Sequence, residues 1–438
     1  MTELGNLIYF KDKLLVYNNI KENKIFKNFI ELLKTLKSED SEEKLIKLYY
    51  KFSSELIKFG EKSGYRGSRS PWQNLILEFI LKDENIFTFQ IGKYRFDNIG
   101  ISLRNAVKND LFLLEKYYRV DENKIKKRLK NKLVNSDIEL PGWNNITEVG
   151  KRKNLKREEF FKILDKISGW GSKVRALAEF YRKNGTGILN NHIAFYWDKK
   201  LIGIKNMDMI TLKNIIGYKK QIEQVKKNTQ KLLNGNRANN ILLYGEKGTG
   251  KSSTVKAIVN EYWDRGLRLL ELKKEDFLEF DEIIQRLSNS NLYFILFIDD
   301  LSFSQVKNEY RDLKATLEGR TKLLPKNVVI YATSNRRHLV KEDFSGKENE
   351  LRKQDSIQEK LSLADRFGIT IIYTTPDQKK YLKIVKELAR QRNLELEENQ
   401  LIEKAKKWER KQNGRSGRTA RQFIDYLEGE LEIKKINR

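Results

Sequence analysis

Hydrophobic residues recur every three or four positions through much of residues 1–200, as in KIFKNFIELLKTL and NDLFLLEKYYRV. This spacing places the apolar side chains on one face of a helix. A proline, two glycines and a basic run interrupt the pattern over residues 141–156, where we expect a break. A further helical piece is predicted to end in YRKNGTGILNNHIAFYWD, with its aromatic residues in a core. The pattern therefore predicts a mostly helical N-terminal domain over residues 1–200.

From Leu201 onward, short apolar runs alternate with amphipathic stretches. Five strands are predicted, at NILLYG, LRLLEL, YFILFID, VVIYAT and ITIIYTT. Strands that alternate with helices are typical of a parallel sheet with helical crossovers, so residues 201–375 are predicted to form an α/β domain. After Pro376 the helical spacing returns, which predicts a small helical domain over residues 376–438. Its two apolar faces contain Tyr381, Val385 and Leu388, and Leu401, Ala405 and Trp408.

The composition excludes several kinds of site. The 438 residues include no cysteine and only two histidines, His192 and His338. A disulfide framework, a thiolate nucleophile and a Cys/His metal site are therefore excluded. No apolar run approaches the roughly 18 residues of a membrane span, and Lys11 and Asp12 interrupt the N-terminal apolar stretch. We expect a cytoplasmic protein that neither crosses a membrane nor carries a secretion signal.

The net charge is +27, from 87 lysines and arginines against 60 aspartates and glutamates. Clustered cations bind nucleic acid because they release counterions from its phosphates. Lysine, asparagine and isoleucine are abundant along the whole chain, however, as expected of an AT-rich genome. The charge is therefore consistent with either a nucleic-acid partner or a solvated surface.

The segment GEKGTGKS, residues 245–252, follows a predicted strand and opens a predicted helix. It matches the phosphate-loop pattern G-x-x-x-x-G-K-[ST]. Its backbone N–H groups can turn inward around phosphates, Lys251 can reach the β- and γ-phosphate oxygens, and the Ser252 hydroxyl can bind Mg²⁺. A tight glycine turn alone would not require the Lys-Ser pair. The predicted nucleotide-binding residues are Gly245, Glu246, Lys247, Gly248, Thr249, Gly250, Lys251, Ser252 and Ser253.

Two adjacent aspartates end the buried strand of FILFIDDLSF. Asp299 is predicted to bind Mg²⁺ together with Ser252, usually through water, and Asp300 is predicted to polarise an attacking water molecule. The bound cation and Lys251 would offset the repulsion between the two carboxylates. The alternative for Asp300 is that it caps a helix that begins at LSFSQ.

Further segments occur in a characteristic order around these motifs: NIIGYKKQIEQVKKNTQKLL, VVIYATSNRRHL, LADRFGI and GRSGRTARQF. Over residues 215–427 the chain resembles the AAA+ ATPases. More narrowly, EKGTGKSS, FIDDLSF, YATSNRRHL, LSLADRFG and GRSGRTARQF together resemble an uncharacterised bacterial AAA+ family, domain of unknown function 815. The resemblance implies a parallel five-stranded AAA+ nucleotide-binding core with a C-terminal helical lid.

The resemblance also implies roles for individual residues. Asn335 would orient the hydrolytic water, Arg421 would reach the γ-phosphate from the lid, and Arg366 would act as an arginine finger in a neighbouring subunit's site. An amide can hydrogen-bond water or phosphate, and a guanidinium can neutralise developing charge. The residues implied to line the adenine are Ile216, Gly217 and Tyr218.

Each of these roles has a structural alternative. Asn335 can serve a strand-end turn, Arg421 can be a surface cation, and Arg366 can belong to an Asp-Arg salt bridge beside Phe367. The three residues after Asn335, namely Arg336, Arg337 and His338, can contact a phosphate, contact a partner subunit or only solvate a loop.

Asp300 departs from the AAA+ pattern, which usually has glutamate there. A base misplaced by about 1 Å can cost roughly a hundredfold in rate, so slow hydrolysis, typical of a switch, is expected. The guanine-selecting pattern N-K-x-D is absent after the core, whereas the adenine-side motif is present. The predicted cofactors are therefore ATP and Mg²⁺.

Three interpretations of the physiological role remain. In the first, an oligomeric ATPase with sites shared between subunits acts on nucleic acid. The net positive charge favours this interpretation, as do Lys273 and Lys274 after the second predicted strand. A threading unfoldase ranks last, because KKEDFLEFDEIIQ has Phe277 and Phe280 but no glycine. A slow ATP switch or scaffold could bind a protein partner through residues 1–200. The sequence does not separate the first interpretation from the third.

Overall fold

The computed structural model describes residues 3–38, 40–63, 69–133, 138–144, 155–165, 169–301, 324–335, 366–412 and 414–436. The chain forms two compact units, Met1–Asn190 and Asn191–Arg438. Within the described ranges, no helix is long and apolar enough to span a membrane. The division into residues 1–200, 201–375 and 376–438 stays a prediction.

The first unit is built from helices, as predicted. Their apolar faces enclose one core that includes Phe26, Phe29 and Trp72. Side-chain caps mark where several helices begin. At the start of α2, the Asn23 side chain accepts from the backbone N–H groups of Ile25 and Phe26, which have no acceptor within the helix. The helices are α1 (Glu3–Phe10), α2 (Lys24–Lys37), α3 (Glu42–Ser63), α4 (Pro71–Lys82), α5 (Ile86–Lys93), α6 (Ile101–Tyr118), α7 (Glu122–Lys130), α8 (Leu155–Asp165) and α9 (Val174–Asn184), with a short α10 (Ile188–Asn191) after them.

A buried carboxylate fixes the segment between α1 and α2. Asp110 is fully buried on α6. One of its oxygens accepts from the backbone N–H groups of Leu15, Val16 and Tyr17 at 3.0, 2.6 and 2.9 Å. These three donors lie outside any helix or strand ladder, so the carboxylate replaces the water that they would otherwise bind.

Replacing Asp110 with alanine is expected to destabilise the first unit by about 3 kcal/mol, roughly 1 kcal/mol for each N–H group left without an acceptor. Hydrogen exchange should become faster at Val16 and Tyr17, and the urea midpoint should fall. The control is Asp12→Ala, which removes a carboxylate whose side chain is 64% exposed. Equal stability of the two variants would show that Asp110 does not hold this segment.

The second unit contains a seven-stranded sheet with the order β2-β1-β4-β5-β6-β3-β7. All neighbouring strands are parallel except β1 and β2. The strands are β1 (Ala194–Trp197), β2 (Leu201–Gly203), β3 (Ile241–Gly245), β4 (Leu267–Glu271), β5 (Tyr293–Ile298), β6 (Val328–Ser334) and β7 (Ile369–Tyr373). Crossover helices are α11 (Lys219–Leu233), α12 (Lys251–Tyr262) and α13 (Phe280–Ser288). The predicted α/β class is confirmed.

The count of five strands was too low. The five predicted strands correspond to β3–β7, but β1 and β2 extend the sheet beyond β4, and β1 lies where a helical piece was expected. A four-residue apolar run has no periodicity that separates helix from strand. Ala194 in this run pairs with Leu269 in β4, and this pairing makes the run a strand. The hairpin turns at Lys199, whose φ is +53°.

The C-terminal segment forms the predicted helical lid, with α14 (Gln378–Gln391), α15 (Glu398–Lys411) and α16 (Gly417–Ile436). Asp377 caps α14 by accepting from the Lys380 N–H group. The lid has its own core, which contains five of the six residues predicted for its apolar faces. The sixth, Trp408, is partly buried and packs on Phe423, with ring centroids 6.0 Å apart.

Candidate nucleotide site

The strands β3, β5 and β6 lie side by side and run parallel, so the segments that follow them meet at the carboxyl edge of the sheet. A cavity of about 470 Å³ opens there, between this edge and the lid. The predicted site residues that line it are Ile216, Tyr218, Lys247, Gly248, Thr249, Gly250, Lys251, Ser252, Ser253, Asp299, Asp300, Asn335 and Arg421. The structure thus brings most of the predicted set together.

Lys251 is the first residue of α12, and its ammonium group lies at the centre of this edge. It donates to the carbonyl oxygens of Gly245 and Glu246 at 2.7 and 2.9 Å, and to Asn335 Oδ1 at 3.0 Å. Burial lowers the pKa of Lys251 to about 8, although the two aspartates after β5 act in the opposite direction. Because burial disfavours the cation, an anion at this position would be strongly favoured.

Gly248 lies where the phosphate loop meets the lid. Its φ is +79°, and an added Cβ would lie 2.8 Å from Ser416 Oγ and 3.1 Å from Arg418 Cβ. Its carbonyl oxygen accepts from the Arg418 N–H group at 3.2 Å. A side chain at this position would be strained and would push the lid away. The glycine therefore permits direct contact between loop and lid.

Ser252 and Asp299, the two residues predicted to bind Mg²⁺, lie within hydrogen-bonding distance of each other. Ser252 Oγ donates to Asp299 Oδ1 at 2.6 Å, and Thr333 Oγ1 donates to the same oxygen at 2.6 Å. Hydroxyl and carboxylate oxygens are suitable ligands for Mg²⁺, which is commonly held by one or two carboxylates together with substrate phosphates and water. Among the described residues no group of three or more His, Cys, Asp and Glu side chains could hold a metal. The residues present fit a cation bound together with a nucleotide.

Asp300 has a left-handed backbone, with φ of +54°. Its N–H group donates to Thr333 Oγ1 at 2.9 Å, and its Oδ1 accepts from Asn335 Nδ2. This backbone region costs an L-residue roughly 1–2 kcal/mol, although aspartate tolerates it better than most. The turn takes Asp300 out of the path of β5 and into the cavity wall. Asn335 consequently bonds both Lys251 and Asp300.

The side of the cavity predicted to receive adenine is mainly apolar. The Tyr218 ring stacks on Tyr373 with centroids 5.0 Å apart, and its hydroxyl donates to the Thr374 carbonyl oxygen at 2.8 Å. Lys380 Nζ lies 3.7 Å from the centroid of the Tyr218 ring. The apolar lining residues from the core and the lid are Ile210, Ile215, Ile216, Ile384 and Leu388.

Four predicted residues are not part of the cavity wall. Gly217 provides a turn with φ of +88°, and an added Cβ would lie 2.8 Å from Lys380 Cε. Gly245 and Glu246 contribute the carbonyl oxygens that hold Lys251. Arg366 precedes β7, away from the cavity. The segment Arg336, Arg337 and His338 lies outside the described residues.

Two further residues of the site, Thr333 and Arg418, were not predicted from the sequence. Thr333 is buried and hydrogen-bonds both aspartates. It lies two residues before Asn335, so the two side chains are on the same side of the sheet. That spacing was the available signal. Arg418 lies in GRSGRTARQF, three residues before Arg421, and lines the cavity with it. Its positive charge also lowers the pKa of Lys251.

Comparisons with known proteins give one family. The model described as "Protein of unknown function (DUF815)" matches residues 190–431. None of the curated proteins matches the chain.

Several solved structures are similar over part of their length. A mutant of Thermotoga maritima RuvB is 18% identical, with 52% of this chain and 67% of that chain covered and a TM-score of 0.37. The RuvB Holliday junction branch migration motor of the same organism is 17% identical, with 52% and 66% covered and a TM-score of 0.35. A replication initiator DnaA bound to AMPPCP and single-stranded DNA is 23% identical, with 52% and 68% covered and a TM-score of 0.35. The chain spans about two thirds of these proteins.

The family match covers more than half of the chain and includes the phosphate loop, the acidic strand end and the lid. The narrower resemblance, to domain of unknown function 815, is confirmed. The chain belongs to the family of proteins of unknown function DUF815.

Proposed function

We propose that the protein is an ATP-binding, Mg²⁺-dependent ATPase that works as a homo-oligomer. The observation that carries this proposal is the meeting of Lys251, Ser252, Asp299 and Asn335 at one cavity, through hydrogen bonds of 2.6–3.0 Å. A lysine, a hydroxyl, a carboxylate and an amide are the groups that bind, charge-balance and orient a nucleoside triphosphate. The mainly apolar side of the cavity and the missing guanine-selecting pattern support ATP over GTP.

Separate residues would bind the phosphates, hold the metal ion and activate the attacking water. Lys251 and the N–H groups of the loop would bind phosphate oxygens, while Ser252 and Asp299 would hold Mg²⁺. When bound, the ion neutralises charge on the transferred phosphoryl group. Asp300 orients the attacking water and accepts its proton, and Asn335 positions Asp300 by donating from Nδ2 to its Oδ1.

Turnover is proposed to be slow or stimulated by a partner. The Asp300 side chain is one methylene shorter than glutamate, and its left-handed backbone fixes where the carboxylate can reach. The second candidate function follows from this: a slow ATP switch or scaffold that binds a protein partner through the N-terminal helical domain. Nucleic acid is the other candidate partner.

Phosphate release by the full-length protein tests the proposal. We expect ATP to be hydrolysed faster than GTP, and hydrolysis to cease when EDTA removes Mg²⁺. Measurements with single-stranded and duplex oligonucleotides would show whether nucleic acid stimulates turnover. ATP binding without turnover in any mixture would favour the scaffold. Failure to bind ATP would contradict both candidates.

The two lid arginines give a more specific prediction. Arg418→Ala is expected to weaken ATP binding by roughly tenfold or more while ADP binding changes little, since a hydrogen bond to a charged group contributes about 1.5–3 kcal/mol. The loop–lid contact should survive, because it uses the Arg418 backbone N–H group. Arg421→Ala should lower kcat by a similar factor.

Titration with fluorescent ATP and ADP analogues measures the binding effect, and steady-state phosphate release measures kcat. Arg410→Ala is the control, since Arg410 is exposed at the end of α15. Equal losses for ATP and ADP would show that Arg418 does not discriminate the γ-phosphate.

A further inference from the structure

A second group of basic residues lies in the first unit, far along the sequence from the phosphate loop. We call it the cationic surface and define it by the five cations and three aromatic residues around the turn Phe96–Asn98. Its members come from α5, α6, α9 and the segment that joins α5 to α6. They are Lys93, Arg95, Arg104, Arg175 and Arg182, with Phe89, Tyr94 and Phe96.

Direct contacts hold the cationic surface together. The guanidinium carbons of Arg104 and Arg175 lie 5.4 and 4.8 Å from the centroid of the Phe96 ring. Arg182 donates to the Tyr94 carbonyl oxygen at 2.8 Å. The contacts of Arg175 and Arg182 bridge about 80 to 90 residues of sequence, so the fold itself brings these cations to the segment after α5.

The positive charge of the cationic surface exceeds the acidic charge beside it. Asp97 pairs with Arg175, whose hydrogen bond holds the pKa of that carboxyl below its ordinary value, and Arg104 adds to the effect. Glu179 is the other carboxylate that acts on Arg175. Burial lowers the pKa of Arg182, and the positive charge of Arg95 lowers it further. Of the described carboxylates, Asp97 and Glu179 act on the cations of this surface.

Aromatic rings are exposed among these cations. Tyr94 is 49% exposed and Phe89 is 39% exposed, and Lys93 Nζ lies 4.5 Å from the centroid of the Phe89 ring. Exposed aromatic rings and clustered cations are the two features with which proteins bind single strands, since bases stack on the rings while cations neutralise the phosphates. Acidic proteins and anionic membranes would engage the cations without needing the rings.

We propose that the cationic surface binds single-stranded nucleic acid. The bound strand would be the nucleic acid on which the proposed ATPase acts. Only this role of ATP rests on the proposed function. Unpaired bases are required, because a duplex keeps its base faces stacked inside and presents mainly phosphates.

The first test measures the affinity of the protein for a labelled oligodeoxythymidylate of about 16 nucleotides. Fluorescence anisotropy follows the binding, and ATP is left out. The double variant Lys93→Glu/Arg95→Glu is expected to lose at least tenfold in affinity. It should also reduce the slope of log affinity against log salt by about 1.4, or about 0.7 for each lost phosphate contact. The control Lys47→Glu/Lys51→Glu makes the same change in net charge on exposed residues of α3 and should leave the slope unchanged.

A second variant separates stacking from charge. Tyr94→Ala should weaken binding by about tenfold with the salt slope unchanged, because a base–ring stack contributes without releasing counterions. Tyr94→Phe keeps the ring and should bind like the wild type. The duplex of the same sequence should bind more weakly than the single strand.

Three results would overturn the inference: no binding of the oligonucleotide at low salt, equal losses in the two charge-reversed pairs, or binding to phosphatidylglycerol vesicles but not to the oligonucleotide. Lys251→Ala separates the two proposals, since it should lose ATP binding but keep oligonucleotide binding. A protein that hydrolyses ATP without binding the oligonucleotide refutes the cationic surface alone. One that binds the oligonucleotide without binding ATP refutes the ATPase alone.

Discussion

Replacing Lys251 with alanine is expected to abolish tight ATP binding, whereas Asp300→Asn should leave binding intact and slow turnover by roughly 10²–10⁴-fold. Lys251 is the cation that the phosphate loop and Asn335 hold at the centre of the site, so its loss removes charge that acts on bound phosphates. Asparagine in place of Asp300 keeps the shape and one oxygen but cannot accept a proton from water. The pair of variants therefore separates affinity from chemistry.

Isothermal titration with ATP and steady-state phosphate release measure the two effects. Lys247→Ala is the matched control, since it removes an exposed cation from the same loop but keeps the backbone N–H group. We expect a much smaller loss of affinity for this control than for Lys251→Ala. If both Lys251→Ala and Asp300→Asn retained wild-type ATPase activity, the site would not be the one described.

The sequence predicted those parts of the site that local pattern determines. A strand followed by a glycine-rich loop and a helix places Lys251, and a buried strand that ends in two acids places Asp299 and Asp300. Because parallel strands bring their carboxyl ends to one edge, these motifs could be expected to meet. The lid helices were likewise visible in the spacing of their apolar residues.

The parts that the sequence did not reveal depend on long-range contacts. Strand β1 is too short for its own periodicity to identify, and its pairing with β4 across about 75 residues decides its conformation. Thr333 has no motif of its own, and its role follows from the two aspartates beside it. The cationic surface joins Tyr94 to Arg182, which no local pattern connects.

Arg366 leads to the prediction with the largest effect. Ile369 at the start of β7 pairs with Ile241 at the start of β3, so Arg366 lies toward the amino edge of the sheet. The phosphate loop begins at Gly245, at the opposite edge and about 13 Å along β3 from Ile241 at roughly 3.3 Å per residue. We therefore propose that Arg366 acts on the phosphates of a neighbouring subunit rather than its own.

Arg366→Ala is expected to bind ATP nearly normally and to lose roughly 10³–10⁵-fold in turnover, the contribution of a finger supplied in trans. Ground-state binding is mostly the work of the phosphate loop, whereas the finger stabilises charge that develops during the reaction. Wild-type activity should also rise faster than linearly with protein concentration, because a complete site requires assembly. Phosphate release over a range of protein concentrations measures the loss of turnover in the variant and the concentration dependence of the wild type.

Mixing two inactive variants gives the sharpest test of a shared site. Subunits with Arg366→Ala keep an intact phosphate loop, and subunits with Lys251→Ala keep an intact finger. A mixed oligomer can therefore form whole sites at some interfaces, although neither parent can. We expect partial recovery of ATPase activity in the mixture, with subunit exchange followed by energy transfer between labelled subunits. If the two variants co-assemble and activity stays at the level of the separate proteins, Arg366 does not act in trans. Its role would then be a structural salt bridge beside the buried Phe367.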